Sequence, residues 1–514
     1  MQLLSLQNQI LLITALLLFG FSGILFYKGV EKWALVLLFL AAFLLRMCMI
    51  SLDPFLNKWD ERFHALVAKN MMEHPFMPML RKDAILPFNY GDWSGNHIWL
   101  HKQPFFLWQM AMSLKVFGIN EFAVRFPGAL MGAIQILFIY RIGKLVLNNQ
   151  TGYLSALLFA GSYFQLQQTS GLIGMDQNDI AFGFYTIASI WALIEFNYSQ
   201  KKYWILLIGL FSGIAILNKW LTGLLVYAGW GIAILADKQS RQRLKKYLEI
   251  ISALLVTCII FLPWQFYIIK TFPIESNIEY HFNNMHFKTA LEGHSGTYAF
   301  YINRFTKEQF GYQAIIPFIS GVYYLLKNGK DRRSKLYVLI SVIAIYIFFS
   351  FFVASKTSGY VFVIASLVYI LIAAGLYYLW TLIPSFRMKT PVTISAIVIL
   401  FIVNLSPGKI LFTHFESEMD RDREAKINNT EIYKQLNELV PEDYVVFNVP
   451  ELEDVEAMFY SDRNVYHWWP GEADYYLLKE KGIHLAAFTP HHNLRVPSYI
   501  SNDTSILIIE RQLK

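Results

Sequence analysis

Residues 103–118 read QPFFLWQMAMSLKVFG, and whether this run crosses a membrane decides the fold of the whole chain. Around it the sequence is apolar throughout. Of 514 residues 55% are hydrophobic, 17% aromatic and 16% charged, and the mean hydropathy is +0.38. Soluble domains carry about 25% charged residues, so the composition points to a polytopic helical membrane protein. Basic clusters at Lys28/Lys32, Arg141/Lys144, Lys201/Lys202, Lys238–Lys246, Lys327–Lys335 and Arg387/Lys389 punctuate the apolar runs. All of them fall on one side, as the positive-inside bias requires, if spans run near 8–27, 33–52, 124–141, 152–170, 178–196, 203–218, 221–236, 248–269, 311–326, 336–354, 360–380 and 390–406. That parity holds only if 103–118 does not cross. The run is short, contains Lys115 and closes on Gly118, which suits an aromatic helix lying in the interface.

The fold expected is therefore a polytopic α-helical membrane protein of about twelve spans. Residues 1–409 form the membrane domain, with interfacial helices in a first outer loop at 53–123. Residues 410–514 form a small extracytoplasmic α/β domain, because EDYVVFNVP, DRNVYHWW, GIHLAAFTP and SILIIERQ alternate with helical patterns such as NNTEIYKQLNELV. The first 30 residues lack a basic n-region and a small-residue cleavage site, so 8–27 reads as a retained span. Cys48 and Cys258 both lie in apolar runs and offer no disulfide framework. The net charge of +7 sits in loops between spans and carries no argument for nucleic acid.

With this orientation the unusual ionisable residues all reach the side opposite the basic loops. Asp60 and Glu61 follow the second span, with Arg62 next to them. His101 and Lys102 precede the interfacial run. Asp176 and Asp179 sit between the fourth and fifth spans, and Lys219 in the tight turn between the sixth and seventh. His281, His286 and His294 occupy the 270–310 loop, and Lys356 and Tyr360 follow the tenth span. Singly, each has a plain explanation as a helix cap, a surface residue or a snorkelling lysine. Together they suit a substrate that carries a phosphate at the membrane surface. Lysines can hold the phosphate and stabilise the charge that it gains on leaving, and a carboxylate can take the proton of an attacking hydroxyl. Transport of a lipid-linked sugar is the alternative, although transporters place their polar groups near the midplane, often in repeated halves, and no repeat is visible. A scaffold role would account for the tail but not for the lysines and carboxylates.

Five ordered landmarks then resemble those of the C-type glycosyltransferase fold, in the branch of the dolichyl-phosphate-mannose–protein mannosyltransferases and the bacterial lipid A aminoarabinose transferases. They are WDERFHALVAKNM, HKQPFFLWQMAMSLKVFGINEFAVRFPGAL, GMDQNDIAFGFYTIA, GIAILNKWLTGLL and SKTSGYVF, spread over residues 50–405. The chain departs from the family pattern at His101, Gln103, Asn218, Trp220 and Thr357-Ser358-Gly359. The resemblance implies an inverting enzyme that moves a hexosyl or pentosyl unit from a polyprenyl phosphate to a lipid, glycan or protein acceptor outside the cytoplasm. It implies Asp60 as general base with Glu61 in support, and Asp176 as the second acidic residue, with Asp179 the alternative. Lys102 would hold the donor phosphate, helped by Lys219 and Lys356. Arg62, His101, His294 and Tyr360 are further candidates. No cofactor is required by this reading; a divalent metal held by His101 and a loop histidine is the lesser option. A bacterial inner membrane with the site on the periplasmic face is the implied location.

Overall fold

The computed structural model describes residues 4–83, 85–87, 90, 93–172, 177–384, 389–412, 419–489 and 496–514. Asp176 lies outside them. The chain divides into two compact units, one made of Ile50–Pro127 with Gly408–Lys514 and the other of Leu4–Met49 with Gly128–Pro407.

The protein is an integral membrane protein. Among the described residues nine helical stretches are long and apolar enough to cross a bilayer: Leu6–Tyr27, Glu31–Ile50, Glu121–Val146, Asn178–Ser199, Tyr203–Ala236, Leu244–Thr271, Arg332–Phe352, Ala365–Leu382 and Thr390–Ile410. The remaining expected spans fall in three stretches. Residues 152–170 are two helices, Asn149–Ala160 and Tyr163–Ser170, separated at Gly161–Ser162 where the Ser162 side chain accepts from Gln165 N. Residues 203–236 are two helices joined by the 3-10 turn Trp220–Leu224. The chain doubles back there, because Tyr227 Oη and the Gly209 carbonyl meet the same Thr257 hydroxyl at 2.7 and 3.0 Å. The third is the helix Ile315–Asn328, only 14 residues long. It crosses Ala365–Leu382 at a point that only glycine allows. A Cβ on Gly321 would lie 1.8 Å from the Leu371 carbonyl oxygen, and one on Gly375 would lie 1.7 Å from that of Pro317.

Within this second unit the loops sort into two ends. At one, Lys144 pairs with Glu31, Lys330 Nζ donates to the Lys144 carbonyl at 2.9 Å, Asn197 donates to Asp331 at 2.6 Å and Arg333 pairs with Asp237 at 2.9 Å. Four of the basic loops that the sequence assigns to one side therefore touch one another. At the other end Asp179 pairs with Lys219, which lies 5.6 Å from the Tyr360 ring, and the Lys356 N–H donates to the His294 carbonyl at 2.8 Å. Asp179 and Asn197 lie on one helix, and 18 residues of helix separate them by about 27 Å, close to the thickness of the hydrocarbon core.

The first unit carries the outer loop and the tail. Residues 104–117 form the helix Pro104–Phe117; its 14 residues span about 21 Å, too little to cross. Pro104 opens it, where the missing N–H costs nothing, and Gly118 closes it at φ 83°. It packs against the helix Asp60–Met71. The tail forms a four-stranded parallel sheet from β1 (Tyr444–Phe447), β2 (Asn464–Val465), β3 (His484–Phe488) and β4 (Leu507–Ile509), in the order β2-β1-β3-β4. All four strands lie in the four β-like runs of the sequence. Parallel pairing requires crossovers, supplied by Glu453–Tyr460, Glu472–Glu480 and Ser498–Ser501. Val445, Phe447, Tyr466, Leu478, Leu485 and Ile500 form the core of this sheet, and Leu86 of the outer loop belongs to it.

Candidate functional site

In the first unit Asp60 opens the helix Asp60–Met71, and Lys102 stands two residues ahead of the helix Pro104–Phe117. A carboxylate at a helix start is favoured by the positive end of the helix. The Lys102 ammonium lies 3.4 Å from Asp60 Oδ1, and the two side chains are 15% and 23% exposed. The pair is thus within ion-pairing distance, and both groups remain partly accessible. Beside it His101 stacks on Trp93 with ring centroids 4.5 Å apart and nearly parallel planes, and Trp99 closes the cluster.

The neighbours of Asp60 have other partners. Glu61 is buried and takes a two-pronged bond from Arg125, Nε to Oε1 at 2.7 Å and Nη2 to Oε2 at 3.1 Å. It also accepts from the Asn57 N–H at 2.6 Å. The same Arg125 donates to the carbonyls of Ile50, Asp53 and Phe55, so the two residues tie down the chain that delivers Asp60. Arg62 points to the tail: its Nη2 is 2.6 Å from Glu456 and 3.7 Å from Glu453, all three buried. Burial holds the Glu456 carboxyl above the ordinary range, with Arg62 opposing. Further along the helix Lys69 Nζ donates to the carbonyls of Met458 and Ser461 at 3.0 and 2.6 Å and to Asp462 at 3.2 Å. Arg81 pairs with Asp454 at 2.7 Å. Arg125 was legible only as part of the FAVRFPGAL landmark; an arginine inside an apolar run is itself the signal, since it needs a buried acid.

In the second unit Asp179, in the first turn of Asn178–Ser199, forms an ion pair with Lys219, the last residue of Tyr203–Lys219. The Asn178 amide donates to the Asn218 carbonyl at 3.1 Å and fastens the same two helix ends. Lys219 Nζ lies 5.6 Å from the centre of the Tyr360 ring. Lys356 has a different setting. Its ammonium donates to the carbonyls of Phe349 (2.5 Å), Ser350 (2.9 Å) and Val353, so its three donors close the open end of the helix before it. Its backbone N–H donates to the His294 carbonyl at 2.8 Å. Next to it, Ser355 Oγ and His286 Nδ1 are 2.7 Å apart. Among the described residues no group of three or more His, Cys, Asp or Glu side chains is arranged to hold a metal ion.

Residues 101–267 match the family model described as dolichyl-phosphate-mannose-protein mannosyltransferase. Among solved structures the chain is similar to ArnT from Cupriavidus metallidurans bound to undecaprenyl phosphate, with a TM-score of 0.65 and 16% identity over 87% of this chain and 88% of that one. It is also similar to the archaeal oligosaccharyltransferase AglB from Archaeoglobus fulgidus in complex with an inhibitory peptide and a dolichol-phosphate, with a TM-score of 0.53 and 12% identity over 85% and 64% of the two chains. An uncharacterised protein of Aquifex aeolicus (strain VF5) is 26% identical over 173 residues, 33% of this chain and 31% of that protein. The match thus spans about a third of that relative's length. The structural likenesses establish the fold, that of the C-type glycosyltransferases.

Proposed function

We propose that the protein is an inverting glycosyltransferase that moves a sugar from a polyprenyl phosphate to an acceptor hydroxyl or phosphate. The observation that carries this reading is the accessible Asp60–Lys102 pair, 3.4 Å apart, beside Glu61, Arg62 and Arg125, which are buried and paired. The acceptor oxygen attacks the anomeric carbon of the sugar while the bond from that carbon to the phosphate oxygen breaks. The acceptor proton passes to Asp60, and the electron pair leaves on the polyprenyl phosphate, whose growing charge Lys102 stabilises. One displacement inverts the anomeric centre. The match of residues 101–267 to the mannosyltransferase model and the undecaprenyl phosphate bound by ArnT support this donor class. The reading places the chemistry on the extracytoplasmic face, in a bacterial inner membrane, with 410–514 as an extracytoplasmic domain and a lipid, glycan or protein as acceptor.

The test is release of label from a panel of radiolabelled polyprenyl-phosphate sugars by the purified full-length protein. Asp60→Asn is expected to lose about 10²–10⁴ of the rate while donor binding persists, and Lys102→Ala to weaken donor binding. Turnover that survives in Asp60→Asn removes Asp60 as the base. A wild-type protein that moves labelled lipid across a vesicle membrane without releasing sugar overturns the enzyme in favour of a transporter.

A further inference from the structure

The end of the second unit that gathers the basic loops holds a cavity of about 770 Å³ between helices Glu121–Val146, Asn178–Ser199, Leu225–Ala236 and Arg332–Ile347. Arg141, Lys144, Lys330, Arg332 and Arg333 line it, against two acids, Asp237 and Asp331. Topology accounts for basic residues at this end of the helices. It does not account for a half-open recess of this size, whose volume falls in the range of small-ligand sites.

The charges are not equally committed. Glu195 holds Arg141 in a two-pronged bond at 2.5 and 3.1 Å, Glu31 takes Lys144, and Asp237 takes Arg333 at 2.9 Å. Asp331 accepts from Asn197 and from the Ser334 N–H at 2.8 Å, capping its helix. Lys330 and Arg332 have no acidic partner among the described residues. Lys330 gives one proton to the Lys144 carbonyl at 2.9 Å. Arg332 is exposed in the first turn of Arg332–Ile347, where the positive helix end adds to its charge. Five cations against the four acids Glu31, Glu195, Asp237 and Asp331 leave an excess of one positive charge, carried by Lys330 and Arg332 on either side of Asp331, at a recess lined by polar and apolar residues alike. The recess lies at the far end of the helix that carries Asp179, about 27 Å away, and so at the depth of lipid headgroups.

We propose that this cavity binds the phosphate headgroup of an anionic phospholipid from the leaflet next to the basic loops. Lys330 and Arg332 hold the phosphate oxygens, and the uncharged lining of Asn197 and Gln200 faces the rest of the headgroup. The lipid bridges four helices and stabilises the folded unit by mass action.

The experiment is thermal unfolding of the purified full-length protein in neutral detergent, titrated with dioleoyl phosphatidylglycerol or with phosphatidylcholine of the same chains. Phosphatidylglycerol is expected to raise Tm, and phosphatidylcholine to leave it unchanged. The variant Lys330→Gln/Arg332→Gln is expected to need about tenfold more phosphatidylglycerol for the same shift. Lys201→Gln/Lys202→Gln removes two charges from exposed loop positions that do not line the cavity and is expected to respond like wild type. Arg332→Gln alone gives a smaller displacement and serves if the double variant does not fold. Equal shifts with the two lipids, or an unchanged response in the Lys330/Arg332 variants, overturn the proposal. Glycerol 3-phosphate that reproduces the full shift reassigns the site to a soluble phosphate and overturns the lipid assignment.

Discussion

Lys219 ends one helix and Asp179 begins another, and across 40 residues of sequence their side chains form an ion pair. The Asp179 side chain is only 2% exposed and that of Lys219 18%. A carboxylate so placed has little water to solvate it, and removing Lys219 takes away the cation that compensates it. Lys219→Met should therefore cost about 3–5 kcal/mol of stability, and adding Asp179→Asn should restore most of the loss. Thermal unfolding of the two single variants and the double variant measures this directly. If the losses simply add, the pair is not coupled.

Glu61 and Arg125 give a second and sharper distinction. Both side chains are buried, at 2% and 0% exposure, and their bonds secure the segment from Ile50 to Asn57. Glu61→Gln should lower stability by about 3–5 kcal/mol, because Arg125 then loses the carboxylate that it holds in two bonds. Turnover per folded molecule should change far less than in Asp60→Asn. Measured together, Tm and turnover separate the roles. Loss of turnover at unchanged Tm would instead put Glu61 in the chemistry.

The sequence showed what periodicity and charge can show. The parity argument about residues 103–118 required a helix that does not cross, and Pro104–Phe117 is too short to do so. The four β-like runs of the tail each hold a strand. Apolar windows, however, are blind to local breaks. The break at Gly161–Ser162 divides a stretch read as one span, whereas the turn beside Trp220 lies where Lys219 separates the two spans read at 203–218 and 221–236. Partnerships are equally hidden, because they join residues far apart. Nothing near Arg62 or Lys69 announces that their acceptors lie at Glu456 and Met458. Lys356 looked like the other outward lysines, yet three backbone carbonyls occupy its ammonium, a fact set by how the preceding helix ends. Asp176 lies outside the described residues, while Asp179 is the acid that meets a lysine.

His97 makes the stability of the first unit depend on pH. Burial, with the Arg81 charge adding to it, pushes its pKa from 6.5 down to about 4. Above pH 6.5 the imidazole is neutral in the folded and unfolded chains alike and contributes no slope. Between 6.5 and 4 the unfolded chain binds a proton that the folded one refuses, so stability falls as pH falls, by up to about 3 kcal/mol in all. Below 4 the effect levels off. Denaturation at pH 7 and at pH 4.5 should show a loss in wild type that is smaller by about 2 kcal/mol in His97→Gln. Equal losses in the two proteins would mean that other groups carry the pH dependence.

Trp59 holds Asp60 in place at an energetic cost. Its backbone sits at φ 65° and ψ −127°, a region that bulky residues rarely enter, and Trp220, next to Lys219, is similar at φ 59°. Strain of this kind is worth about 1–3 kcal/mol and persists where the surroundings impose it. The two differ in what the ring does. Trp220 packs against Tyr280 with centroids 5.3 Å apart, whereas Trp59 is 54% exposed and its ring buries less. Its carbonyl accepts from Arg62 N at 3.1 Å, which starts the helix whose first residue is Asp60. Trp59→Gly therefore relieves the backbone and loses less packing than the same change at Trp220, and the entropy of glycine in the unfolded chain offsets part of the gain, leaving about 1 kcal/mol. Turnover should stay near that of wild type in the same variant, because glycine keeps this backbone without strain and the carbonyl still starts the helix. Higher Tm with unchanged turnover is the expected pair of results. Lower Tm would show that the tryptophan ring, not the backbone, governs this position.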